Sequence, residues 1–139
     1  MWSAPERQLA RLRARYEKHA AELAEIGFMF KGSVTQRFLP CGTASCGCHS
    51  DPARRHGPYW QWTSKVKGKT VSRMLTEPQA RRYREWIANW KRFEKTADAL
   101  HDISAQADAL VRAQERASRA RADTPGRPRR PPAKSAARR

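Results

Sequence analysis

Large apolar residues recur at Leu9, Leu12, Tyr16, Leu23 and Ile26, with Ala20 filling the gap. That three-and-four spacing predicts one narrow helical stripe, suited to packing on another helix. Ser3-Ala4-Pro5-Glu6 supplies its start: a capping serine, a proline tolerated in the first turn, and a glutamate that completes a capping box. Gly27 is the expected stop. The pattern then shortens. Phe28–Phe30 is an apolar link, and Ser33–Leu39 alternates as a strand, with Val34 and Phe38 on one side and Arg37 on the other. Tyr59–Val66 and Lys69–Leu75 read as two more strands joined by a tight Lys67-Gly68 turn. A two-residue turn pairs Val66 with Lys69, Ser64 with Val71, Trp62 with Arg73 and Trp60 with Leu75. One face of the hairpin then carries Trp60, Trp62, Val66, Val71 and Leu75, and must be covered, most simply by a helix. Arg73 opposite Trp62 is placed to stack on the indole.

Thr76-Glu77-Pro78-Gln79 opens a second helix by the same capping logic. Tyr83, Trp86 or Ile87, Trp90, Phe93, Ala97, Leu100, Ile103, Ala107 and Leu110 sustain helical spacing, and no Gly or Pro interrupts before Pro125. The helix is expected to run to about Arg121. Its first half is aromatic and suits the sheet. Its alanine-rich second half needs a partner, either the first helix or a second copy in a coiled coil, because a lone helix of that kind is marginal. The chain is therefore expected to be α+β: a small antiparallel sheet of about three strands, flanked by an N-terminal helix and a long C-terminal one. Its segments are 1–27 (first helix), 28–76 (sheet and loop), 77–122 (long helix) and 123–139, a disordered basic tail with nothing to bury.

Charge adds a class of partner. Lys and Arg number 29 against 13 Asp and Glu, a net +16 over 139 residues. Such an excess points to a polyanion, most simply a nucleic acid. No apolar run is long enough to span a membrane, and the N-terminus lacks the apolar core of a secretory signal. A cytoplasmic location is expected, which also suits unpaired cysteines.

The loop between the first two strands adds chemistry. Cys41, Cys46 and Cys48, with His49 and His56, fall within sixteen residues. Three thiolates and one imidazole form the closed tetrahedral set of a structural zinc site. We take Cys41, Cys46, Cys48 and His56 as the ligands of one structural Zn²⁺. His49 is the alternative fourth ligand, but it directly follows Cys48, and adjacent residues reach one ion only with backbone strain. Glycines 42 and 47 permit tight turns, while Asp51-Pro52 and Gly57-Pro58 read as turn pairs that close the loop. A closed site leaves no place for a reacting water, so no catalysis is expected. Gly68-Lys69-Thr70 echoes the end of a phosphate loop, but position 63 is Thr where that loop requires Gly.

The run Gly32-Ser33-Val34, Cys41-Gly42, Cys46-Gly47-Cys48, His56-Gly57-Pro58-Tyr59, then Lys65-Val66-x-Gly68-Lys69-Thr70, resembles a family of short bacterial proteins of unknown function. Their shared core is Cys-Gly-x3-Cys-x-Cys…His-Gly-Pro-Tyr. The resemblance covers roughly residues 30 to 100 and carries the four metal positions. It implies a mobile-element setting, since members are often associated with transposase genes. A weaker likeness is to the arm-binding domains of phage-type integrases, which lay a small sheet in the DNA major groove. By that likeness Gln61, Thr63, Lys65, Lys67, Lys69, Thr70 and Ser72 face the nucleic acid, with Arg54 and Arg55 of the loop adding phosphate contacts. The expected function is that of a zinc-stabilised nucleic-acid-binding accessory or regulatory protein. The alternative is an interaction module that dimerises through the long helix and touches no nucleic acid.

Overall fold

The structure is a computed structural model that describes residues 1–124 and Gly126. Helix α1 spans Ala4–Ala24, strand β1 Ser33–Leu39, strand β2 His56–Val66, strand β3 Lys69–Leu75 and helix α2 Glu77–Ala122. Two short 3₁₀ turns, Gly47–His49 and Pro52–Arg54, lie in the loop between β1 and β2. The fold is α+β, as the periodicity predicts. The basic tail expected over 123–139 lies outside the described residues beyond Thr124, Gly126 apart.

Both expected capping boxes form. The Ser3 hydroxyl accepts from the Glu6 N–H while the Glu6 carboxylate accepts from the Ser3 N–H. At α2 the Thr76 hydroxyl accepts from Gln79 N–H at 3.3 Å, and Gln79 Oε1 accepts from Thr76 N–H at 2.9 Å. Each box satisfies two of the donors that a helix start leaves orphaned. The end of α1 differs from expectation. The helix stops at Ala24; Glu25, still right-handed, donates its N–H to the Glu22 carbonyl at 3.1 Å, and Ile26 donates to the Leu23 carbonyl at 3.3 Å. Gly27 lies past the end and against Asn89 rather than acting as a left-handed cap.

The sheet is antiparallel in the order β1-β2-β3. The β2–β3 register pairs Val66 with Lys69, Ser64 with Val71, Trp62 with Arg73 and Trp60 with Leu75. Lys67 and Gly68 take φ of 51° and 79°, the two left-handed positions that match a two-residue turn to the strand twist. β2 begins at His56, three residues before the expected Tyr59. Gly57-Pro58, expected as a turn, is strand. β3 ends opposite Trp60, so this stretch pairs only with β1, where Tyr59 meets Arg37 and His56 meets Leu39 across a bulge. A proline is tolerated there because one side of the strand has no partner.

α2 covers one sheet face. Trp62, Leu75, Ala80, Tyr83 and Ile87 form the buried core, with Phe30, Val34 and Trp60 packed around it. Of the two expected alternatives on α2, Ile87 enters this core and Trp86 flanks it. Phe30 sits among three rings, 5.2 Å from Trp62, 5.0 Å from Tyr83 and 6.1 Å from Trp86. The link before β1 is laced to α2: Phe30 N–H donates to the Trp86 carbonyl at 3.0 Å, and the Asn89 amide donates to the Phe28 carbonyl at 2.8 Å. Arg73 lies over Trp62 as expected, 5.3 Å from the ring centroid, and also donates to the Tyr83 hydroxyl. Coverage stops short of the hairpin tip, where Val66 and Val71 remain exposed.

The second half of α2 finds its partner within the chain. Leu9, Leu12 and Tyr16 border one groove with Ile103 and Ala107, Pro5 a second with Leu110 and Ala113, and His19 a third with Thr96 and Ala99. The numbers rise on α1 as they fall on α2, so the helices are antiparallel. Leu12 and Ile103 are the buried centre of this seam. Among the described residues, no helix is long and apolar enough to cross a membrane.

Candidate metal centre

The loop from Pro40 to Arg55 folds back on itself through short local bonds. Cys46 N–H donates to the Thr43 carbonyl at 3.1 Å, and the Gly47–His49 turn follows at once. Asp51 caps the second turn, its carboxylate accepting from Ala53 N–H at 3.0 Å. The start of β2 then returns His56 to the cysteines.

Cys41, Cys46, Cys48 and His56 each place one donor atom within 4.8 Å of the other three. Cys46 Sγ lies 3.4 Å from His56 Nε2, and Cys48 Sγ lies 3.6 Å from Cys41 Sγ. A tetrahedral ion with metal–sulfur bonds of about 2.3 Å and a metal–nitrogen bond of about 2.1 Å sets edges of roughly 3.5–3.8 Å. These two separations are close to such edges, and the four donors are near enough together to hold one metal ion. His49 is turned elsewhere, its Nε2 paired with the Thr43 carbonyl at 2.9 Å. Cys48 is buried, Cys41 and Cys46 are half-buried, and His56 is exposed. The Cys41 N–H donates to Cys48 Sγ at 3.3 Å, a bond that favours a thiolate.

Crowding of the four groups shifts their protons. Hydrogen bonding to the Thr43 backbone and then to Cys48 lowers Cys41 to about 6. The Cys48 backbone and the His56 ring lower Cys46. Cys48 goes the other way: the Cys41 backbone pulls it down, but burial and its two neighbouring thiols outweigh that and raise it. His56 is raised by its bonds to Cys46 and Cys41. Thiols lowered toward thiolate suit metal binding, because a metal ion takes the deprotonated sulfur.

The residues expected to face nucleic acid are distributed unevenly. Gln61, Thr63 and Lys65 on β2 share the open sheet face with Thr70 and Ser72 on β3. Lys67 is in the turn, and Lys69, opposite Val66, falls on the other face. Arg54 folds back over the loop, so that a β-carbon on Gly47 would meet its Nη1 at 2.5 Å. Arg55 is exposed beside it. The register adds residues of β1 to the open face, namely Ser33 opposite Thr63, Thr35 opposite Gln61, and Arg37 opposite Tyr59. Arg37 donates to Gln61 Oε1 at 3.2 Å. Strand alternation from Val34 was the signal that places Thr35 and Arg37 there.

No curated protein and no solved structure matches the chain. The family described as a domain of unknown function, DUF6788, matches residues 6–85. The match starts in the first turn of α1, earlier than the motif alone suggests, and ends in α2 before residue 100. It takes in the whole sheet, all four donors and the residues that cap α2. With more than half of its length inside that match, the chain belongs to the DUF6788 family.

Proposed function

We propose that this protein is a zinc-stabilised, nucleic-acid-binding accessory protein that uses the open face of its sheet against duplex DNA. Three soft sulfurs and one imidazole suit zinc better than the oxygen-seeking cations. Four protein donors leave no free coordination position, which supports a structural ion and a non-catalytic role. Cys41, Cys46, Cys48 and His56 would hold it, and the ion would lock the β1–β2 connection.

One observation carries the nucleic-acid reading. From Phe28 to Leu75 there are eight Lys and Arg and a single acid, Asp51, which is engaged in capping a turn. The open face therefore presents hydroxyls, an amide, Arg37 and Lys65, with Met74 opposite Gln61 and without one carboxylate. Outer strands of a three-stranded sheet lie about 10 Å apart, close to the roughly 12 Å width of the DNA major groove. The RNA major groove is too narrow to admit such a surface. A place beside transposases, as the motif's resemblance suggests, suits a small DNA-binding accessory.

Fluorescence anisotropy with a labelled duplex tests this reading. Four phosphate contacts would weaken affinity about a hundredfold between roughly 50 and 200 mM salt. Binding that does not change with salt, or no binding at all, rejects it.

A further inference from the structure

We infer that the groove between β1 and α2 is a phosphate site that takes the backbone of the bound nucleic acid. This rests on the nucleic-acid reading above but assigns a surface that is not the open sheet face.

The groove has a volume of about 320 Å³. Gly32, Ser33 and Val34 form one wall, and Arg84, Ala88 and Lys91 form the other. No carboxylate lines it. Among the described residues, neither Arg84 nor Lys91 is paired with an acid. Arg84 lies over the Trp60 indole, its Cζ 3.9 Å from the ring centroid. Lys31, next to the Gly32 wall, lies over Trp90 at 4.6 Å. A guanidinium stacked this way keeps its N–H edge free and has little rotamer freedom left to lose on binding.

The opposite wall is equally constrained. Gly32 has φ of +117°, and a β-carbon there would meet the Thr63 carbonyl at 2.6 Å. The chain therefore enters β1 with its backbone packed tightly against β2, which fixes this wall beside the two cations. Arg84 and Lys91 are seven residues apart on one helix, about 10 Å along the axis. Arg92 and Lys95 line the next groove on α2, which Glu22 of α1 also borders. A run of cations this long fits a polyanion better than a single free phosphate. β1 is an edge strand, so the groove borders the Thr35 and Arg37 side of the open face. A duplex seated on that face would have a phosphate strand within reach of this border. Phosphate contacts here would set position and affinity, while the hydroxyl and amide face reads bases.

The test is anisotropy of the full-length, metal-loaded protein with two unrelated labelled duplexes across a salt series. Lys91→Ala should lower the slope of log affinity against log salt by about one, and Arg84→Ala with Lys91→Ala by about two, equally for both duplexes. Lys91→Arg should restore the slope. Arg112→Ala, outside the groove, should leave it unchanged. Circular dichroism confirms that each variant is folded. Wild-type slope in both Lys91→Ala and the double variant overturns this site while leaving the nucleic-acid reading intact. Failure of the wild type to bind either duplex, with tight binding to an acidic peptide instead, overturns both.

Discussion

Gly47 stands between two metal donors, and the space its missing side chain leaves is filled by the Arg54 guanidinium. A divalent ion with three thiolates carries a net charge of about −1, so a cation at that spot offsets it. Gly47→Ala should push the flexible arginine away at little cost in stability, yet speed metal loss to a chromogenic chelator. Arg54→Ala should do the same, and unchanged release rates in both would remove Arg54 from the metal's surroundings. The two histidines separate just as cleanly. His56→Ala should abolish the one-zinc mass in native mass spectrometry, and His49→Ala, which loses only a bond to Thr43, should keep it. In the metal-free chain the thiols differ in their protons. Cys41 at about 6 is mostly thiolate at neutral pH, whereas Cys48 is raised and buried. Iodoacetamide mapping at pH 7 should therefore modify Cys41 first and Cys48 last. The sign for stability follows: a lowered thiol stabilises the fold above its ordinary value near 9, and that contribution fades as pH falls toward 6. Modification of Cys48 ahead of Cys41 would contradict this order.

At the scale of elements, Gly32 and Phe30 hold the entry to β1. Gly32→Ala would force a β-carbon onto the Thr63 carbonyl at a positive φ, and about 2–3 kcal/mol should be lost in urea unfolding. A loss under 1 kcal/mol would show that the turn can relax. The same region separates what was legible in the sequence from what was not. Lys67-Gly68 and the flanking alternation set the β2–β3 register residue by residue, because a two-residue turn allows only one pairing. The Cys and His spacing likewise pointed to the four clustered donors. Phe30 was hidden, since a short apolar link has no period, and only tertiary packing reveals its three aromatic neighbours. The early start of β2 was hidden for a different reason. Gly57-Pro58 has turn chemistry, and its strand pairing depends on β3 ending before it. The bend of Arg54 onto Gly47 is a long-side-chain choice that no local pattern encodes.

Across the whole molecule, the metal loop adjoins the start of β2 and the aromatic core lies at its middle. The core joins Trp62 and Leu75 to Tyr83 and Ile87, while the donors cluster around His56 and the loop before it. The α1–α2 seam, centred on Leu12 and Ile103, is held by neither. Metal binding should therefore be coupled to folding locally rather than globally. Chelation should leave the helical circular dichroism almost unchanged, because both helices keep their caps and their packing. Hydrogen exchange should rise sharply from about Leu39 to Tyr59 and stay slow from Trp60 to Leu75, where β3 and α2 still cover the strand. Such a pattern would make the knuckle a separable clamp on an autonomous helix–hairpin body. It would also give the open face a metal-dependent border, since Arg37 pairs with Tyr59 beside the loop. Loss of helix on chelation would instead mean that the sheet core is too small to stand without its staple, and that the metal sustains the whole domain.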